Sequence, residues 1–117
     1  MKPAPFRMER PRDIAGATAL LATGGDGAKA MAGSQSLGPM LNLRLATPEL
    51  IVDLTGIDAL RTVREEPGHM VYGALITHAD VEDGRVPDVG AHILCRVAGG
   101  IAYRAVRNRG TIGGSLT

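Results

Sequence analysis

The chain has no tryptophan, only two tyrosines and one phenylalanine. A core without large rings has to be assembled from Leu, Ile, Val, Met and Ala. Cysteine is nearly missing as well. Cys95 stands alone, which excludes a disulfide framework and a cysteine metal site. No stretch approaches the ~20 apolar residues of a membrane span, and the opening MKPAPFRMERP holds no apolar run of signal-peptide length, so a cytoplasmic protein with no membrane span is expected. Acidic residues stop at Asp88, whereas Arg96, Arg104, Arg107 and Arg109 follow. His69, His78 and His92 lack metal-ligand spacing, Ser34 and Ser36 form no nucleophile elbow, and no carboxylate pair stands out as an acid–base couple. With no side-chain catalyst in view, an enzyme of this sequence would depend on a cofactor that carries the chemistry itself.

What the chain has in excess is glycine, 16 of 117 residues, about double the ~7% norm. Hydrophobic residues at 44% and charged residues at 21% are ordinary for a globular protein. The pattern predicts a half-buried strand over residues 4–11, with Phe6 and Met8 inward. A helix with Asp13 as N-cap follows, burying Ile14, Ala17, Leu20 and Leu21 and stopping at Gly24-Gly25. A buried strand over 28–33, a helix carrying Leu37, Met40, Leu41 and Leu45, and a strand over 49–54 come next. Two strands then turn at Pro67-Gly68. A short turn or helix closes at Gly84, and an amphipathic helix starts at Pro87 with Val89, Ile93 and Val97 inward and Cys95 as inert packing. A last strand completes an α+β domain.

Two strings of small residues stand out. Residues 32–39, AGSQSLGP, sit between a strand and a helix. Such a loop offers unpaired backbone N–H groups to an anion where no bulky Cβ blocks the approach, although the stretch taken alone reads more readily as an ordinary strand-to-helix loop with Ser36 as N-cap. Residues 110–115, GTIGGS, read either as a tight turn or as a place where Gly113 and Gly114 turn amides toward an anion. Neither string is a Walker or dinucleotide fingerprint. Two such strings in one chain are expected to converge on one long ligand with a pyrophosphate. The arginines around Tyr103 are too few to suggest nucleic-acid binding and read as solvated surface.

Taken together, AGSQSLGPMLNLRLATPELIVDL and VRNRGTIGGSLT resemble the FAD-binding subunit of the molybdenum hydroxylases, the type found as the medium subunit of aerobic carbon monoxide dehydrogenase and the flavin domain of xanthine dehydrogenases. PFRMERPRDIAGATALL and GALITHADVE extend the likeness over nearly the whole chain. The resemblance implies a VAO/PCMH-like FAD-binding fold, N-terminal portion: a small β-α-β subdomain over residues 1–56, then a mixed sheet with a helix beginning a second subdomain over 57–117. It implies FAD as cofactor, bound near its pyrophosphate by Ala32, Gly33, Ser34, Gln35, Ser36, Thr111, Ile112, Gly113, Gly114 and Ser115, with Thr77 near the flavin. It implies a molybdopterin-containing large subunit and a [2Fe–2S] small subunit as partners, passing electrons from molybdenum to FAD. Ser34 stands where the family usually has Gly, and Ser115 where its xanthine dehydrogenase branch often has Asn. Family members continue past this point with His-Ala-Asp-Pro, so the chain is expected to be the front part of a longer protein. It is expected to self-associate or to bind FAD weakly. The alternative is a non-catalytic remnant acting as an assembly module.

Overall fold

The computed structural model describes residues 2–117. The chain divides into two compact units, one ending at Asp58 and the other spanning Ala59–Thr117.

The first unit holds β1 (Arg7–Glu9), α1 (Ile14–Gly24), β2 (Ala28–Met31), α2 (Leu37–Asn42) and β3 (Leu50–Asp53). The strands form one parallel sheet in the order β1-β3-β2, with Met8 opposite Ile51 and Lys29 also opposite Ile51. The central strand is the continuous apolar run Leu50-Ile51-Val52, all buried, as a strand covered on both faces requires. Ala17 of α1, Ala28 of β2 and Leu41 of α2 complete this core. Asp13 caps α1 by accepting from the Gly16 N–H at 2.6 Å, and Gly25 ends it at φ 54°, a left-handed backbone value that glycine adopts without strain.

Several expectations for this unit change. β1 is shorter than the alternation suggested and wholly exposed, with Met8 at 50%. β2 is an edge strand: Lys29 and Ala30 face solvent and only Ala28 is buried. Ile14 is 52% exposed, because the buried side of α1 is centred on Ala17. Of the α2 stripe, Leu41 is buried while Met40 and Leu45 are exposed.

The second unit begins with an antiparallel hairpin, β4 (Val63–Glu66) and β5 (His69–Tyr72), turning at Gly68 with φ 81°. Then come α3 (His78–Glu82), α4 (Ile93–Gly99), α5 (Arg104–Arg107) and α6 (Ile112–Leu116). The expected final strand is not formed; α5 and α6 take its place. Ile76, Val81 and Ala98 are the buried centre, packed by Val63, Tyr72, Val86, Leu94 and Ile112. α3 opens with a reciprocal cap: Thr77 Oγ1 accepts from the Asp80 N–H and Asp80 accepts from the Thr77 N–H.

α4 starts at Ile93, not at Pro87. Gly90, Ala91 and His92 all have positive φ, which an α-helix cannot contain. Its inward side is also not the expected one. Val89, Ile93 and Val97 are exposed, and Leu94 and Ala98 pack inward. The Asp88 carboxylate fixes this rotation by accepting from the Cys95 N–H at 3.0 Å and the Leu94 N–H at 3.4 Å. The Cys95 thiol, read above as inert packing, donates to the Glu82 carbonyl at 2.9 Å.

Candidate functional site

The segment between β2 and α2 is the bridge that the sequence predicts. Ser34 lies at φ 60°, in the left-handed region, which non-glycine residues enter only with strain. Glycine enters this region without strain, and the backbone adopts it here although a serine stands there. Ser34 accepts from the Gly38 N–H at 3.0 Å through its carbonyl, and a Cβ on Gly38 would meet the Ser34 hydroxyl at 3.0 Å. Gln35 folds its side-chain amide onto the Gly33 carbonyl at 2.9 Å. Ser36 occupies the N-cap position of α2, but its side chain makes no capping bond. Among the described residues, the backbone N–H groups of Gly33, Ser34, Gln35 and Ser36 donate to no protein acceptor. Four consecutive free amides beside small side chains fit an anionic or polar ligand.

The 110–115 string is built differently. Thr111 is buried and forms a bridge to Thr77. Its hydroxyl caps α6 by accepting from the Gly114 N–H at 3.0 Å. The Ile112 N–H donates to the Ile76 carbonyl, the Gly113 N–H to the Ala74 carbonyl, and the Ser115 N–H to the Thr111 carbonyl. The idea that Gly113 and Gly114 turn free amides to an anion is therefore corrected: these amides are engaged inside the protein, and neither glycine has positive φ. Gly113 is required by packing, since a Cβ there would lie 2.7 Å from the Ala74 Cβ and 2.9 Å from its carbonyl oxygen. What this segment offers outward is hydroxyl chemistry. Ser115 is exposed, and its Oγ lies 2.9 Å from Nε2 of the buried His78. Burial pushes the His78 imidazole below its ordinary pKa.

The basic run is not a free cationic surface. Arg107, with its side chain 12% exposed, reaches Glu82 with Nε at 2.8 Å and the Ile101 carbonyl with Nη1 at 3.0 Å. Arg104 bonds both Glu82 and Asp83, and Arg85 joins Asp80 to Asp83. Hydrogen bonds from Arg104 and Arg85 hold the Asp83 carboxyl well below the usual range, and those from Arg107 and Arg104 do the same for Glu82. Composition after Asp88 hid this pairing because the acidic partners come earlier in the chain. Among the described residues no cluster of His, Cys, Asp and Glu could hold a metal, and no helix is long and apolar enough to cross a membrane.

Comparison with known proteins shows what the chain is similar to. The family described as "FAD binding domain in molybdopterin dehydrogenase" matches residues 4–117. The 6-hydroxypseudooxynicotine dehydrogenase complex subunit alpha of Paenarthrobacter nicotinovorans is 41% identical over 116 residues, covering 99% of this chain and 39% of that protein. The carbon monoxide dehydrogenase medium chain of Hydrogenophaga pseudoflava is 40% identical, covering 99% of this chain and 40% of that one. The solved structure of carbon monoxide dehydrogenase from H. pseudoflava lacking the Mo-pyranopterin moiety of the molybdenum cofactor superposes with a TM-score of 0.92 at 40% identity, over 99% of this chain and 40% of that one. The chain thus spans about two-fifths of the length of these relatives.

Proposed function

We propose, from the premise that this chain belongs to the family of FAD-binding domains in molybdopterin dehydrogenases, that it is part of the flavoprotein subunit of a molybdenum hydroxylase. FAD, when bound, supplies the redox chemistry, taking up electrons that reach it from molybdenum through [2Fe–2S] centres. The chain's own task is to bind and orient. Ala32, Gly33, Ser34, Gln35 and Ser36 bind the pyrophosphate region through backbone amides. Thr77 and the 111–115 segment, comprising Thr111, Ile112, Gly113, Gly114 and Ser115, contribute shape and hydroxyls. A molybdopterin-containing large subunit and a [2Fe–2S] small subunit are the partners this reading requires. The relatives' own names, "complex subunit alpha" and "medium chain", support it. A cytoplasmic setting belongs to the same reading.

The observation that carries the reading is the run of unpartnered amides from Gly33 to Ser36, held open by the left-handed Ser34. Its test is a titration with FAD, followed by quenching of flavin fluorescence. Gly33→Val should weaken binding about tenfold or more by placing a branched side chain over the amides. Equal affinity in both proteins would remove the loop from the site.

One observation favours a second reading. The amides of Ile112, Gly113, Gly114 and Ser115 are all internally engaged, so this segment grips an anion less than its glycines suggest. A chain that binds no FAD but associates with the large subunit would be an assembly module, and the same titration separates the two.

A further inference from the structure

We propose that His78 is a positioning residue: from inside the second unit it fixes the Ser115 hydroxyl and the start of the 110–115 segment in the arrangement that segment presents to FAD. This rests on the FAD reading above.

His78 ties the segment at both ends. Its backbone N–H donates to the carbonyl of Gly110, the segment's first residue, at 2.9 Å. Its ring reaches Ser115 near the segment's end, with Nε2 to Oγ at 2.9 Å. The ring also lies against Gly110, where an added Cβ would come within 3.1 Å of the His78 Cδ2. The preceding residue, Thr77, bridges Thr111. An exposed serine hydroxyl otherwise samples several rotamers. Here a buried ring, 7% exposed, holds it in one. A neutral imidazole serves in either tautomer. Protonated on Nδ1 it accepts the Ser115 O–H, and protonated on Nε2 it donates to Oγ and leaves that O–H directed outward.

Charge on the ring restricts the bond: an imidazolium can only donate to Oγ, so the form that accepts the Ser115 O–H exists only while the ring is neutral. The charged groups on the elements around it are Asp80 and Glu82 of α3, Asp83 and Arg85 of the following turn, Arg96 of α4, Arg104 and Arg107 of α5, and Arg109 beside Gly110. Most of these carboxylates and guanidinia are tied to one another: Asp80 with Arg85, and Asp83 with Arg85 and Arg104. Glu82 is tied to Arg107. Among these groups no unpaired carboxylate is left to stabilise an imidazolium, and burial favours the neutral ring.

The test is FAD titration of the full chain between pH 8 and pH 5, by fluorescence quenching. His78→Phe and Ser115→Ala should each weaken FAD about five- to tenfold at pH 8, the size expected for one lost hydrogen bond to a fixed group. The double variant should bind no worse than either single one, because both remove the same interaction. His78→Gln keeps an uncharged polar group in reach of Ser115. It should restore affinity and remove the pH dependence that protonation of the ring gives the parent. Parent-like binding and pH dependence in His78→Phe and Ser115→Ala would overturn the proposal, as would additive losses that His78→Gln does not rescue. Should His78→Phe fail to fold, Ser115→Ala, changed at an exposed site, carries the same comparison. If the parent chain binds no FAD at all, the FAD reading fails, and positioning is judged on the free chain by amide hydrogen exchange. Exchange at Gly113 to Ser115 should then quicken in His78→Phe and stay unchanged in His78→Gln; identical rates in both would overturn it.

Discussion

A single methyl group distinguishes the two glycines at 113 and 114. At Gly113 it would press on the backbone of Ala74, while at Gly114 it would meet only the Thr111 hydroxyl, at 3.0 Å. Gly113→Ala should therefore destabilise the chain by about 1–3 kcal/mol, the usual range for overpacking. Gly114→Ala should stay within about 1 kcal/mol, since helix propensity offsets the contact. Urea denaturation of the two variants checks this, and a larger loss at Gly114 would contradict the packing described. His78 gives a second residue-scale prediction. Its pKa is lowered in the fold, so the unfolded chain takes up a proton first as pH falls. Its contribution is fully present above the unfolded value of about 6.5, and is lost as pH drops from there through the depressed folded value. Thermal midpoints should fall over that window in the parent and less so in His78→Gln. The left-handed backbone of Ser34 was not legible from the residues: a serine in place of a glycine is expected to move to a conformation that suits its Cβ, yet Ser34 stands at φ 60°. Nor was the buried role of His78, since its partner Ser115 lies far along the chain.

Secondary elements divide along the same line between local and distant causes. The central strand β3, the hairpin at Pro67-Gly68 and the Asp13 cap follow from adjacent residues, and each stands where the sequence puts it. Truncating the fully buried Ile51 of β3 to Ala should cost about 2–5 kcal/mol, measurable as a shift of the urea midpoint at unchanged slope. The orientation of α4 could not be read from its own residues. Val89, Ile93 and Val97 keep helical spacing, yet the Asp88 carboxylate and the Cys95 thiol turn Leu94 and Ala98 inward instead. The side chain of Asp88 thus outweighs the apolar stripe. Asp88→Ala should release the first turn of α4, seen as faster amide exchange at Leu94 and Cys95 while the β4–β5 hairpin stays protected. α6 escaped the sequence for a related reason: a Gly-Gly pair reads as a turn unless Thr111 is seen to cap it.

At the scale of the molecule, a net charge of +1 leaves little repulsion between copies, and α4 leaves Ile93 and Val97 at 53% and 62% exposure. Concentration-dependent light scattering should show mass above that of a single chain, and Val97→Lys should return it toward the monomer; no response to either change would leave that stripe a plain solvent face. The arginine–carboxylate network adds an acid limit of its own. Asp80, Glu82 and Asp83 are all lowered from ordinary values of 3.8, 4.5 and 3.8, so their contribution holds above those values and disappears as pH falls through the depressed ones. The strand order of the first unit bears on how the chain is made. β1 and β2 pair only with β3, never with each other. During synthesis neither has a partner until the third strand leaves the ribosome. For β1 that wait is roughly 40 residues, or about 2–8 seconds at ~5–20 residues per second. β2 joins it unpaired about halfway through that interval, and the run of Leu50, Ile51 and Val52 then pairs with both strands.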